Sequence, residues 1–247
     1  KGDHYVLSGS KQFITNAGLA HVNIIFAKTD SARGADGGIS AFIVESGTPG
    51  FRVGKIEDTM GIRGSQNGEL LLDGCVVPLE QRIGEEGDGY RLALATFDRA
   101  RVGIGAQAAG VARGAFEYAV QYAQQRVQFG KLIAEHEGMQ FLIADLATQI
   151  DAARLLVHRA AVLLDSGAPA AEVTRATAMA KLFASDAAMR VTTDAVQLLG
   201  GYGYTREYPV ERMMRDAKIT RIYEGTTQMQ RLAIARTVLE MDAGEAA

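Results

Sequence analysis

The apolar positions of this chain follow one rhythm up to about residue 80 and another beyond it. In the first stretch, short β-branched and aromatic runs alternate with glycine-bearing breaks: Tyr5-Val6-Leu7, Phe13-Ile14-Thr15, Val22 to Phe26 and Ser40 to Val44. Phe51-Arg52-Val53, Glu69 to Leu72 and Val76-Val77-Pro78 continue the series. Each run reads as a strand, with Ser8-Gly9-Ser10 as a break between the first two, and so many short strands suit a small antiparallel barrel or sandwich. From Tyr90 onward apolar residues recur three and four apart, as at Leu142, Leu146, Ile150, Ala153 and Val157, which is the helix period. The pattern predicts helices over residues 90–126, 136–165, 170–199, 210–217 and 226–241, with Pro169 and Pro209 opening the third and fourth. Long helices joined by short links must bury their apolar stripes against one another, so an antiparallel up-down four-helix bundle is expected. The predicted fold class is α+β multidomain, a β domain over 1–78 followed by a helical domain over 79–247.

Glycines at 103, 105, 110 and 114 fall inside the first long helix. Each costs about 1 kcal/mol relative to Ala there, so close packing against them is expected. Residues 103–108 also match the G-x-G-x-x-A form of the dinucleotide fingerprint, but that motif needs a strand on its N-terminal side, and here helical sequence flanks it on both sides. Helix packing is the better reading.

The 247 residues carry 26 basic and 29 acidic side chains, a net charge of -3 that offers no concentrated positive surface for nucleic acid. No apolar run approaches the roughly 20 residues that span a bilayer. The single cysteine, Cys75, has no internal disulfide partner, and the histidines at 4, 21, 136 and 158 are too dispersed for a zinc site, so no metal is expected. These features fit a soluble protein of a reducing, intracellular compartment. The chain opens at Lys1-Gly2-Asp3 without Met, which reads as a turn entering a strand and suggests a fragment.

Two segments call for more than packing. Gln197-Leu198-Leu199-Gly200-Gly201-Tyr202-Gly203 closes a long helix with more glycines than a cap requires, and glycine lets the backbone approach another body. Tyr223-Glu224-Gly225-Thr226 sets a carboxylate before a helix whose first turn offers free N–H groups, which suits either a dipole-stabilised acid or a reactive one.

Together these segments resemble the acyl-CoA dehydrogenase family, and the likeness runs along nearly the whole chain. Lys11-Gln12-Phe13-Ile14-Thr15-Asn16 is similar to the family's K-x-W-I-T-N strand in its middle β domain. Met60 to Ser65 is similar to its G-x-R-x-S segment, Phe97 to Arg101 to its first bundle helix, and Arg126 to Lys131 to its R-x-x-F-G motif. Gln197 to Gly203, Asp216-Ala217-Lys218 and Tyr223 to Thr226 complete the series, whereas the family's N-terminal helical domain finds no counterpart here.

The resemblance implies FAD-dependent α,β-dehydrogenation of an acyl-CoA thioester to a trans-2-enoyl-CoA. Glu224 would be the α-proton base, since Ala100 holds the position where some relatives carry theirs. Phe13, Ile14 and Thr15 would lie along the flavin, with Phe13 in place of the family's Trp. Arg126, Gln128 and Phe129 would hold the FAD diphosphate and adenine, in this family usually from a neighbouring subunit. His136, Gln197, Leu198, Leu199, Gly200, Gly201, Thr226 and Gln228 would complete the dinucleotide site, and Asp98, Arg101, Tyr223 and Gly225 would face the substrate. An electron-transfer flavoprotein or similar acceptor, a homotetramer, and a cytoplasmic location (the mitochondrial matrix in a eukaryote) follow from the same resemblance. An acyl-CoA oxidase or flavin-dependent monooxygenase of the same fold, or a non-catalytic oligomerisation module, are the alternatives.

Overall fold

The computed structural model describes residues 2–240, in two compact units whose spans meet between Thr96 and Phe97. Strands β1 (His4–Thr15), β2 (Val22–Lys28), β3 (Ile39–Glu45), β4 (Phe51–Ile56), β5 (Asn67–Pro78) and β6 (Arg82–Ile83) belong to the first, with a short helical turn, α1 (Ala35–Gly38). They form two three-stranded antiparallel sheets, ordered β1-β5-β4 and β2-β3-β6.

Several predicted breaks are irregularities within longer strands. Ser8-Gly9-Ser10 lies inside β1, and the runs 69–72 and 76–78 are one strand, β5. Along β5, Gly68, Leu70 and Leu72 are buried, then the phase slips and Cys75 and Val77 turn inward. The slip is a bulge: Leu7 pairs with Cys75 but Gly9 with Leu72, so β5 carries one extra residue, near Gly74 at φ 61°. A second bulge inserts an extra residue in β1, between Lys11 and Ile14. It puts Phe13 at φ 58° and leaves its ring 71% exposed. Leu7, Ile25, Phe42, Val44, Leu70, Leu72 and Val77 draw both sheets into one apolar core.

The helices are α2 (Gly89–Ala123), α3 (Glu137–Asp165), α4 (Ala170–Leu199), α5 (Val210–Ile219) and α6 (Thr227–Val238), and α2 runs through the boundary between the two spans. The stripe Leu146, Ile150, Ala153 and Val157 faces the core as its spacing predicts, while Leu142 is partly buried against it. On α4 burial extends almost all round, through Ala176, Ala180, Ala184, Ala187, Ala188, Val191 and Ala195, side chains small enough for neighbours to approach on every side.

Three boundaries differ from the sequence expectation by two residues or more. α2 ends at Ala123, three residues early: the amides of Gln124, Gln125 and Arg126 still donate to Val120 and Tyr122 in a closing turn, and the chain then enters a small hairpin of β7 (Val127–Gln128) and β8 (Lys131–Leu132). α5 continues to Ile219. α6 stops at Val238, and Met241 lies outside the described residues.

The glycines of α2 also divide. A Cβ on Gly105 would stand 3.0 Å from Val157 Cγ2, and one on Gly114 would be 3.8 Å from Met213 Cε. At Gly103 and Gly110 a Cβ would meet nothing within 4 Å, so close packing does not explain those two.

Candidate functional site

The link between α5 and α6 is short and contains two consecutive left-handed residues, Glu224 at φ 53° and Gly225 at φ 85°. Glycine is needed at 225, where a Cβ would stand 2.8 Å from the Gln230 side-chain nitrogen. Glu224 pays a steric penalty for the same conformation, of order 1–3 kcal/mol, which the surroundings must hold in place. They do so from two helices. Gln230 Nε2, on α6, donates to the carbonyls of Glu224 at 3.1 Å and Gly225 at 2.9 Å, and Lys181 Nζ, on α4, donates to the Gly225 carbonyl at 2.5 Å. Tyr223, just before the turn, donates its hydroxyl to Gln107 Oε1 on α2. Thr226 caps α6, its hydroxyl accepting from the Met229 N–H at 3.3 Å. Asp186 on α4 meets Arg221 at 2.7 Å and Arg231 at 3.1 Å, tying both flanks of the turn to the same helix.

Lys181 is absent from the expected site residues, yet it is fully buried. Burial pushes its ammonium down to about 8, the Arg101 guanidinium pushes the same way, and the Glu224 and Asp186 carboxylates pull against both. The sequence held a signal: Lys181 shares a stripe with Thr177, Ala184 and Ala188, all buried, where a solvated lysine has no place. Asp98 and Arg101, one turn apart on α2, pair at 2.9 Å, and Asp98 also accepts from Thr174 on α4 at 2.8 Å. These two proposed substrate contacts are therefore engaged with their own unit, and Arg101 adjoins the Glu224 turn through Lys181.

A second constellation forms around the β7–β8 hairpin. Gln128 pairs with Lys131, leaving Phe129 (φ 54°) and Gly130 (φ 80°) as a two-residue loop with both residues left-handed, the type I′ geometry that matches strand twist. The Phe-Gly pair of the R-x-x-F-G motif is thus a turn, and it holds the Phe129 ring 94% exposed. His136, the N-cap residue of α3, meets the Gln128 carbonyl at 3.2 Å through Nε2, and its ring meets that of Phe129 edge to face at 6.3 Å. Arg126 rests its guanidinium over Tyr202, 5.5 Å from the ring centroid.

Beside these residues opens a cavity of about 490 Å³. It gathers Arg126, Gln128, Leu198, Leu199, Gly200 and Gly201 on one wall system, with Tyr202 next to them. Gly200 ends α4 at φ 61°, and a Cβ on either Gly200 or Gly201 would meet nothing within 4 Å, so bare backbone faces open space. Gly203 serves packing instead, since a Cβ there would strike the Val196 carbonyl. A guanidinium facing exposed glycine backbone fits a diphosphate. Gln197 is exposed at the end of the same helix, outside the cavity lining, and Gln228 sits in the first turn of α6, its Oε1 accepting from Thr227 at 3.2 Å. In the first unit, Ile14 and Thr15 line a separate hollow of about 320 Å³, with Thr15 Oγ1 donating to Asn67 Oδ1 at 3.3 Å. Among the described residues no group of three or more His, Cys, Asp or Glu is placed to hold a metal ion, and no helix is long and apolar enough to cross a membrane.

Comparison with known families agrees with the motif likeness. Residues 1–75 match the model of the acyl-CoA dehydrogenase middle domain and residues 87–239 that of the acyl-CoA dehydrogenase C-terminal domain. The chain belongs to the acyl-CoA dehydrogenase family. A short-chain-specific acyl-CoA dehydrogenase of Clostridium acetobutylicum is 52% identical over 235 residues, 95% of this chain and 61% of that protein. The butyryl-CoA dehydrogenase structure from Megasphaera elsdenii superposes with a TM-score of 0.92 at 52% identity, over 96% of this chain and 61% of that one. A chain in a structure of the electron transferring flavoprotein of Acidaminococcus fermentans superposes with a TM-score of 0.93 at 54% identity, over 97% of this chain and 62% of that one. This family member spans about three fifths of the length of the curated relatives it matches.

Proposed function

We propose that this chain supplies the base and part of the cofactor cradle for FAD-dependent α,β-dehydrogenation of a short- or medium-chain acyl-CoA thioester to the trans-2-enoyl-CoA. One observation carries the reading: Glu224, the residue that matches the family's base, is held in a left-handed turn by hydrogen bonds from Lys181 and Gln230. Family membership and the similarity to short-chain-specific relatives support the substrate class.

The Glu224 carboxylate takes the α-proton of the thioester, and the electron pair of that broken C–H bond becomes the new double bond as the β-hydrogen departs with its own pair. The hydride acceptor would be supplied by bound FAD, at its N5. An α-hydrogen of a thioester is a very weak acid, so the chain must hold the carboxylate in place in advance, and the fixed turn does this. Arg126 and Gln128 would hold the cofactor's diphosphate, a guanidinium being suited to it by charge-assisted hydrogen bonds, and Gly200 and Gly201 would admit it against bare backbone. Phe129, His136, Gln197, Leu198, Leu199, Thr226 and Gln228 would complete the dinucleotide contacts, and Phe13, Ile14 and Thr15 would flank the flavin. Asp98, Arg101, Tyr223 and Gly225 line the substrate's path.

In this reading the two sheets close as a barrel or sandwich, the helices as an up-down four-helix bundle, and the active assembly is a homotetramer passing electrons to an electron-transfer flavoprotein or similar acceptor. The test is anaerobic titration of the FAD-loaded protein with a panel of acyl-CoAs. Bleaching of the flavin absorbance by the short- and medium-chain members is expected, and a flavin left oxidised by every one overturns the reading.

A further inference from the structure

We propose that Lys181 is a positioning residue for the Glu224 turn: its buried head group, reaching from α4, holds the Gly225 carbonyl and so keeps Glu224 in the left-handed conformation that aims its carboxylate. This deepens the dehydrogenase reading and rests on it for the role of Glu224, but the contact itself stands on geometry. Lys181 is fully buried, and none of its neighbours within one turn along α4, Thr177 to Ser185, is charged. An ammonium taken out of water costs several kcal/mol unless partners return it, and a methionine of similar length would fill the same space without that cost. A lysine here is therefore poorly explained by packing. Its one hydrogen-bond partner lies at the turn. The Gly225 carbonyl accepts its hydrogen bond at 2.5 Å, and the charges of Glu224 and Asp186 favour its protonated form against burial first and the Arg101 guanidinium second.

The same carbonyl also accepts from Gln230 Nε2 at 2.9 Å, so two donors from different helices converge on one oxygen. Gln230 closes the turn from the helix that the turn itself begins, and by itself allows turn and α6 to move together. Lys181 fixes that pair to α4, the helix with the most extensive burial. A left-handed glutamate is kept only where its surroundings over-determine the backbone. Lys181 is the bond from α4 to the left-handed backbone itself, while the Asp186 pairs with Arg221 and Arg231 and the Tyr223–Gln107 bond hold its flanks.

The experiment compares wild type, Lys181→Met and Glu224→Gln, all FAD-loaded. Hydrogen exchange over residues 222–229 reports the turn directly, through the Thr227 amide that donates to the Arg221 carbonyl at 3.1 Å. Lys181→Met is expected to speed that exchange by about tenfold or more, the worth of one charge-assisted hydrogen bond, while peptides from α3 are unchanged. Single-turnover flavin reduction by butyryl-CoA is expected to slow by about tenfold while the acyl-CoA dissociation constant moves by less than about threefold, a rate effect without a binding effect. Turn exchange at the wild-type rate overturns the proposal, as does a wild-type reduction rate in a variant whose turn exchanges fast. If Lys181→Met fails to fold, Lys181→Gln takes its place. Its side chain is one atom shorter and falls short of the carbonyl, so the same expectations and the same overturning results apply. A wild-type flavin that no acyl-CoA reduces sinks the dehydrogenase reading, while the exchange comparison still decides whether Lys181 holds the turn.

Discussion

Arg126 lies with its guanidinium over the ring of Tyr202, 5.5 Å from the centroid, at the edge of the cavity that also takes in Gly200 and Gly201. The cation–π contact keeps the guanidinium beside the cavity, where its N–H groups suit an anion. Arg126→Ala is expected to lower retained FAD, with the dissociation constant rising by about tenfold or more, and Tyr202→Leu by a smaller factor. The ratio of flavin to protein absorbance after gel filtration checks both, and an unchanged flavin content in Arg126→Ala defeats the diphosphate role.

Glu224→Gln keeps the shape of the side chain but cannot take a proton. FAD content is expected to stay at the wild-type level while flavin reduction by acyl-CoA falls by about 10² to 10⁴, the range of general base catalysis. Stopped-flow absorbance under anaerobic conditions gives the rate, and turnover near wild type would refute the assignment.

The conformation of the turn predicts opposite stability effects at adjacent positions. Gly225→Ala places a Cβ against Gln230 at φ 85° and is expected to destabilise by about 1–3 kcal/mol. Glu224→Gly relieves a left-handed non-glycine residue and is expected to stabilise by about 1 kcal/mol while abolishing flavin reduction. Urea unfolding midpoints separate the two, and a Glu224→Gly variant less stable than wild type would show that the glutamate costs the fold nothing.

The buried Lys181 gives stability a signed pH dependence. Its ammonium is pushed from 10.5 down to about 8 by burial and by Arg101 on α2, against the pull of Glu224 in the turn and Asp186 on α4. Between those two values the unfolded chain still binds a proton that the folded chain has released, so stability attributable to this group rises with pH across the window. The penalty is present in full below about pH 8 and fades toward pH 10.5. The stability of wild type minus that of Lys181→Met should therefore climb from about pH 8 to about pH 10, and a flat difference contradicts the burial of a charged lysine.

Helix α2 offers a paired test of packing. Gly110→Ala meets open space and should stabilise by up to about 1 kcal/mol through helix propensity. Gly105→Ala, pressed 3.0 Å from Val157 Cγ2, should gain less or lose stability. Thermal midpoints of the two variants decide, and an equal gain at both positions removes Gly105 as a packing contact.

How much of this was legible in the sequence varied with the range of the interaction. The Leu146-Ile150-Ala153-Val157 stripe repeats within one helix, so period alone was sufficient to orient it. The bulges were not legible, because Ser8-Gly9-Ser10 has the composition of a turn and only pairing with β5 makes it part of a strand. The Arg126 and Gly200 segments were singled out by motif, but their meeting around one cavity depends on how α4 ends beside the hairpin. The stripe of small residues around Lys181 marks it as buried, but not what it meets, because its partner, the Gly225 carbonyl, lies 44 residues further along the chain.

The extra residue in β5 gives the first unit a reading frame. Cys75 and Val77 are buried while Val76, between them, is 48% exposed. Removing Gly74 would shift everything downstream by one, turning Val76 inward and presenting Cys75 and Val77 to water. Loops elsewhere can lengthen or shorten across evolution, but an indel at this point inverts a strand, so the length of the segment between Leu72 and Cys75 is itself part of the fold's specification.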